Sequence, residues 1–134
     1  MNPSFRKVTD DFWVAPQITP EMAAEAARDG FRLILNNRPD GEDPGQPDGR
    51  AIAAAAAAAG IEYAEVPIRG RPGMEQVEQV AAALAEADGP VLAYCRSGMR
   101  CIAAWAMARQ AAGADRDELV RLGYGAGYDL SQLL

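Results

Sequence analysis

Apolar and polar positions along the chain fall into short blocks whose spacing predicts alternating strands and helices. Phe12-Trp13-Val14-Ala15 is a compact apolar run and predicts a first strand. Thr19-Pro20-Glu21 opens a helix: Thr19 is placed to cap it, Pro20 suits the first helical position, and Gly30 ends it. Phe31 to Asn36 reads as a strand running into Asn37 to Pro47, a Pro/Gly/Asp-rich loop too polar for a core. Asp48 stands where it can cap an alanine-rich helix through Ala59, and Gly60 stops it; alanine is the best helix former, so this low-complexity stretch reads as ordered. Ile61 to Pro67 alternates with period two, as a strand does. After a second loop at Arg69 to Gly73, Met74 to Ala87 predicts a helix with Val77, Val80, Ala81 and Leu84 on one face. Asp88-Gly89 turns the chain into Pro90 to Tyr94, the continuous apolar run of a central buried strand. A helix over about Met99 to Ala112 and a last one over about Arg116 to Leu122 complete the pattern.

Strands that alternate with helices predict an α/β fold with a mostly parallel central sheet and helices on both faces. At 134 residues, with no long linker and no internal repeat, residues 1–134 read as a single domain. Ligands in such sheets bind beyond the carboxyl ends of the strands. The loops after Asn36 and Pro67 and the loop at Cys95 should therefore converge on one crevice.

Charge and composition narrow the function. The net charge is −6, Lys7 is the sole lysine and there is no basic run, which argues against a nucleic-acid partner. No apolar run approaches the ~20 residues of a membrane span, and Met1 to Lys7 lacks the apolar centre of a signal peptide, so a soluble, cytoplasmic protein is expected. There is no histidine, which removes Ser-His-Asp and Cys-His catalysis and every His-based metal site. The two cysteines, Cys95 and Cys101, make neither a zinc site nor a disulfide framework, and no metal or cofactor is expected. Arg69, Arg71, Arg96 and Arg100 fall in two short stretches, a local cationic pocket suited to a small anion on an acidic body.

Cys95-Arg96-Ser97-Gly98-Met99-Arg100 carries the chemistry. It lies between the central strand and a helix start, where backbone N–H groups without intrahelical partners form an anion-binding concavity. The same field lowers a thiol pKa from ~8.5 into the range ~3.5 to ~7.5. Cys95 is therefore the candidate nucleophile. Arg100 can fork two oxygens of an oxyanion, Arg96 adds positive potential at the rim, and Gly98 supplies a turn conformation closed to other residues. Ser97 and Met99 contribute loop N–H groups, Arg69 and Arg71 can line the crevice, and Asp40 is a possible acid. Glu42 and Asp43 read as solvated loop residues, Cys101 and Trp105 as core. Gly123 to Tyr128 reads as a C-terminal turn, since it does not join a strand to a helix.

Asn37-Arg38-Pro39-Asp40, the Tyr63 to Pro67 strand, the Pro90 to Arg100 block, Trp105 and Ala126-Gly127-Tyr128-Asp129-Leu130 together resemble the phosphatase-like domain of beta-lactamase hydrolase-like proteins, over nearly the whole chain. The resemblance implies a tyrosine-phosphatase-like fold. Some members are fused to a metal-dependent persulfide dioxygenase, which implies such an enzyme, or a thiol acceptor, as a partner in sulfide handling. Members are described both as sulfurtransferases and as phosphatases.

The loop can be set against both chemistries. Cysteine phosphatases carry a His-Cys pair, five residues, then Arg; here Tyr94 replaces the His and the arginine comes one place early, at Arg100. Cys-Arg-Ser-Gly-x-Arg is similar to the active loop of rhodaneses. Phosphatases of this fold usually protonate the leaving alkoxide with an Asp in the loop after the preceding strand, but Ile68 to Gly73 holds two arginines and no acid. Sulfite, leaving from thiosulfate, needs no such donor. The sequence thus favours a cysteine-dependent sulfurtransferase that carries thiosulfate or persulfide sulfur on Cys95. The alternatives are a phosphatase working on phosphate esters through a phosphocysteine, with Asp40 as acid, and a non-catalytic anion-binding or thiol redox-sensing module.

Overall fold

The computed structural model describes residues 1–134. Five strands form one sheet: β1 (Arg6–Thr9), β2 (Phe12–Ala15), β3 (Leu33–Asn36), β4 (Glu62–Glu65) and β5 (Val91–Tyr94). The helices are α1 (Pro20–Arg28), α2 (Gly49–Ala59), α3 (Met74–Glu86), α4 (Met99–Ala111) and α5 (Arg116–Gly125). The strand order is β1-β2-β5-β3-β4, parallel throughout except for the β1–β2 hairpin. This is the predicted α/β fold. No helix is long and apolar enough to cross a membrane.

Burial explains the layers. β3 and β5 are buried along their whole length because they sit inside the sheet with helices over both faces. Ile34, Leu92 and Tyr94 face a core closed by Ile18, Ala23 and Ile52 of the α1–α2 side. Leu33, Leu35 and Ala93 face the larger core under α3, α4 and α5, which holds Val80, Ile102 and Leu119. Trp105 lies in that core, stacked on Phe12 with ring centroids 5.3 Å apart. The chain passes from β3 and β4 on one side to α4 on the other around β5. The carboxyl end of β5 is therefore the point where connections diverge and leave a crevice.

Several local readings shift. β1 escapes the apolar pattern because only Val8 of its four residues is buried; it is recruited by a hairpin in which Thr9 Oγ1 accepts the N–H groups of Asp11 and Phe12. Thr19 caps α1 as expected, accepting from the Met22 N–H at 3.2 Å. Asp48 occupies the cap position of α2 but makes no side-chain cap bond; Asp40 Oδ1 accepts the Gly49 N–H at 2.8 Å instead. On α3, Val77 and Val80 are buried and Leu84 partly so, whereas Ala81 is exposed, lying off the stripe. α5 runs to Gly125, beyond the predicted end, and carries the chain back toward the crevice.

Candidate active site

Cys95 follows β5 directly, and its N–H donates to Ala15 O of β2 at 3.3 Å, so the sheet fixes where the thiol sits. Gly98 then adopts φ 93°, ψ −13°, the left-handed region that glycine enters without strain, and α4 begins at Met99. This tight reversal aims the Gly98 N–H at Cys95 Sγ, 3.1 Å away. Ser97 Oγ accepts the Met99 N–H at 3.3 Å and braces the turn.

The thiol is fully buried, yet its pKa is pulled down to about 5. A hydrogen bond from the Cys101 thiol is the largest cause; burial opposes it, and the N–H groups of Cys101, Ser97 and Gly98 add to the lowering. Burial pushes Cys101 itself well up, so it stays a neutral donor. Cys101 is packed, as expected, and also lowers the Cys95 pKa more than any other group. Tyr94, in the position before Cys95, belongs to the opposite core with Tyr63, and burial raises its phenol.

Arg100 is the second residue of α4, in its first turn. Its Nη1 donates to Glu42 Oε2 at 2.8 Å and to Ile68 O at 2.7 Å, and its Nη2 donates to Glu42 Oε1 at 2.8 Å. A guanidinium has five N–H donors. Three are thereby engaged, and the pair left, Nε–H and one Nη2–H, share the side edge of the fork. Glu42 takes the end edge, so it orients Arg100 without consuming the pair that can grip an oxyanion. Glu42 also accepts from Arg38 Nε at 2.9 Å, and its pKa falls to about 2, chiefly through Arg100 with Arg38 adding. The buried Arg38 reaches Asp43 Oδ2 at 2.6 Å and Gln17 Oε1 at 3.0 Å. Asp43 in turn lies 3.5 Å from Arg96 Nε. A chain of alternating charge thus runs from the loop rim to Arg100.

The three loops converge as expected. A cavity of about 550 Å³ beside Arg100 is lined by Glu42 from the first, Arg71 from the second, Met99 from the third, and Asp129 and Leu133 from the tail. Arg71 Nη2 donates to Leu133 O at 3.2 Å. Arg96 and Ser97 are exposed at the rim. Arg69 is exposed and does not line the cavity. Asp40 is exposed as well, outside the cavity, with its carboxylate on the first N–H of α2. Sequence reasoning missed Glu42, Arg38 and Asp43 as site residues because loop carboxylates usually stay solvated. It also missed Tyr128, whose Oη donates to Ser97 O at 2.7 Å.

A five-stranded, mostly parallel sheet with a cysteine in a strand-to-helix anion loop, backed by an arginine on the following helix, is the arrangement of phosphatase-like α/β proteins. Residues 4–113 match the family described as beta-lactamase hydrolase-like protein, phosphatase-like domain, and the chain belongs to that family. It is 41% identical over 108 residues to a beta-lactamase hydrolase-like protein of Xylella fastidiosa (strain Temecula1), covering 79% of this chain and 25% of that protein. A relative of the same name from Agrobacterium fabrum is 35% identical over 113 residues, covering 83% and 25%. The chain thus spans about a quarter of the length of these curated relatives. Among solved structures, a Neisseria meningitidis protein with a provisional phosphatase name superposes with a TM-score of 0.87 at 33% identity, covering 98% of this chain and 94% of that one. Tk-PTP in its active form gives 0.74 at 20%, covering 98% and 91%. Pseudomonas aeruginosa TpbA, solved with phosphotyrosine, gives 0.67 at 18%, covering 93% and 75%. The last two speak for the fold alone, which is tyrosine-phosphatase-like.

Proposed function

We propose that residues 1–134 form one catalytic unit, a cysteine-dependent phosphatase acting on small phosphate esters, aryl esters foremost. The observation that carries this is the juxtaposition of a buried Cys95 thiolate, held by loop N–H groups, with the Arg100 guanidinium, whose charge and side-chain donors act on it. Cys95 Sγ attacks phosphorus; the S–P bond forms as the ester P–O bond breaks. The loop N–H groups and Arg100 hold the non-bridging oxygens as charge builds on them. Water then attacks the phosphocysteine, releasing inorganic phosphate and restoring the thiolate.

The leaving group sets the preference for aryl esters. Glu42 is ionised at neutral pH and has no proton to give, Asp40 holds its carboxylate on the Gly49 N–H, and Ile68 to Gly73 carries no acid. A phenolate, with a conjugate acid near pKa ~10, leaves with far less help than an alkoxide. The phosphotyrosine bound by TpbA is of this class. A reducing compartment such as the cytoplasm suits a site with two free thiols.

This reverses the preference for sulfur transfer drawn from loop spacing. The phosphatase character of the family and of its structural neighbours supports phosphate chemistry. One observation still favours sulfur transfer as a second reading: Arg71 lines the cavity where a phosphatase would carry its acid. A persulfide-oxidising enzyme or a thiol acceptor belongs to that reading. Wild type and Cys95→Ser assayed side by side on an aryl phosphate and on thiosulfate separate the two. Aryl phosphate turnover that vanishes in Cys95→Ser, with no sulfur added to the wild-type mass by thiosulfate, is the expected result. A thiosulfate-derived adduct on Cys95 without phosphate release would establish the second reading. No turnover of either substrate would return the chain to a binding or redox-sensing role.

A further inference from the structure

We propose that Tyr128 is a positioning residue that sets the direction of the Ser97–Gly98 peptide and so keeps the anion loop in its thiolate-stabilising form. A peptide unit is planar and trans, so its C=O and N–H point in opposite directions. In this one, the Ser97 carbonyl accepts from Tyr128 Oη at 2.7 Å, and the Gly98 N–H donates to Cys95 Sγ at 3.1 Å. The two contacts are the two ends of one rigid plate. Rotating that plate by half a turn would withdraw the N–H and bring a carbonyl oxygen toward the sulfur, replacing a donor with a repulsive dipole. Glycine at 98 removes the steric barrier that would ordinarily oppose such a flip. The tyrosine hydroxyl opposes it instead.

The surroundings of Tyr128 are built for this contact. A Cβ at position 98 would overlap the Tyr128 hydroxyl, so the glycine also makes room for the donor. The ring is buried; Arg6 of β1 lies over it at 5.5 Å from the centroid, and the Tyr128 N–H is anchored on Gly123 O at 2.9 Å. Burial raises the phenol pKa, with Arg6 opposing, so the hydroxyl remains a donor wherever the site works. The other titratable groups coupled to Cys95 are Cys101 and Arg100 of α4.

The proposal rests on Cys95 being a loop-stabilised thiolate, and its test needs no substrate. The pH dependence of Cys95 alkylation by iodoacetamide, read by mass, should shift to higher pH in Tyr128→Phe. Its rate near the wild-type midpoint should fall several-fold, and inorganic phosphate should bind about tenfold more weakly, on the scale of one charge-assisted hydrogen bond. Tyr124→Phe, at an exposed tyrosine, is the control. A Tyr128→Phe protein that melts like wild type and alkylates with an unshifted profile overturns the proposal. Should that variant not fold, a ring-fluorinated tyrosine at 128, a stronger donor of nearly the same shape, must move the midpoint downward; an unmoved midpoint also overturns it. Loss of phosphatase activity alone bears on the proposed function and leaves this readout intact.

Discussion

The Arg100 guanidinium and the Glu42 carboxylate meet edge to edge, Nη1 on Oε2 and Nη2 on Oε1, each at 2.8 Å. The contact joins residues 58 positions apart and ties the loop after β3 to the helix after β5. Glu42→Gln removes the charge and half of the fork while keeping the shape. KM for an aryl phosphate should rise about tenfold, the scale of one charge-assisted hydrogen bond, with a smaller fall in kcat. Steady-state kinetics beside a melting curve checks this; an unchanged KM would show that Arg100 holds its direction without Glu42.

The thiolate sets the working pH. Cys95 titrates at about 5 when folded, against an ordinary value of 9. Alkylation and the acid limb of kcat/KM should both be half-maximal near pH 5. Between those two values the unfolded chain holds a proton that the folded chain has released, so folding gains stability as pH rises across the window. That contribution is complete above pH 9 and is lost as pH falls to 5. Glu42 adds a second loss lower down, between its ordinary 4.5 and about 2. Chemical denaturation at stepped pH should show both declines.

Cys101 contributes the largest single lowering of the Cys95 pKa, as a neutral donor. Cys101→Ala should move the alkylation midpoint upward, and Cys101→Ser, which keeps a donor, should restore most of it. Equal midpoints in the two variants would assign the thiolate to the backbone N–H groups alone.

Asp40 separates a structural carboxylate from a catalytic one. Its contact with the Gly49 N–H caps α2, so Asp40→Ala should cost about 1 kcal/mol, while Asp40→Asn, a good capping residue, should cost little. Both should leave kcat within about twofold. A tenfold fall in kcat in Asp40→Asn would make Asp40 the proton donor after all.

What the sequence disclosed is what depends on neighbours in the chain. The apolar run at Val91 to Tyr94, the Thr19 cap and the strand–turn–helix at Cys95 are local, and each is legible without tertiary knowledge. The Arg96–Asp43–Arg38–Glu42–Arg100 series is not, because Glu42 and Asp43 look like any acidic loop until that loop folds back over the crevice. β1 was hidden by its polar edge position. Tyr128 was hidden by distance: its ring reaches Ser97 from 31 residues away, through the turn that follows α5. The choice between phosphate and sulfur was the least legible, since one loop serves both anions and a single residue of spacing says little about which enters.

β4 ends the sheet at the side away from the hairpin, and its outer row of peptide groups has no strand beside it. Such a row is a template for another chain, and proteins blunt it with short length and charge. β4 is four residues long and carries exposed Glu62 and Glu65 at its two ends. Two copies approaching edge to edge would set like charges against each other at both ends of the shared ladder before many hydrogen bonds could form. The acidic surplus of the chain therefore also works at this edge, favouring separate molecules over a sheet extended from one copy into the next.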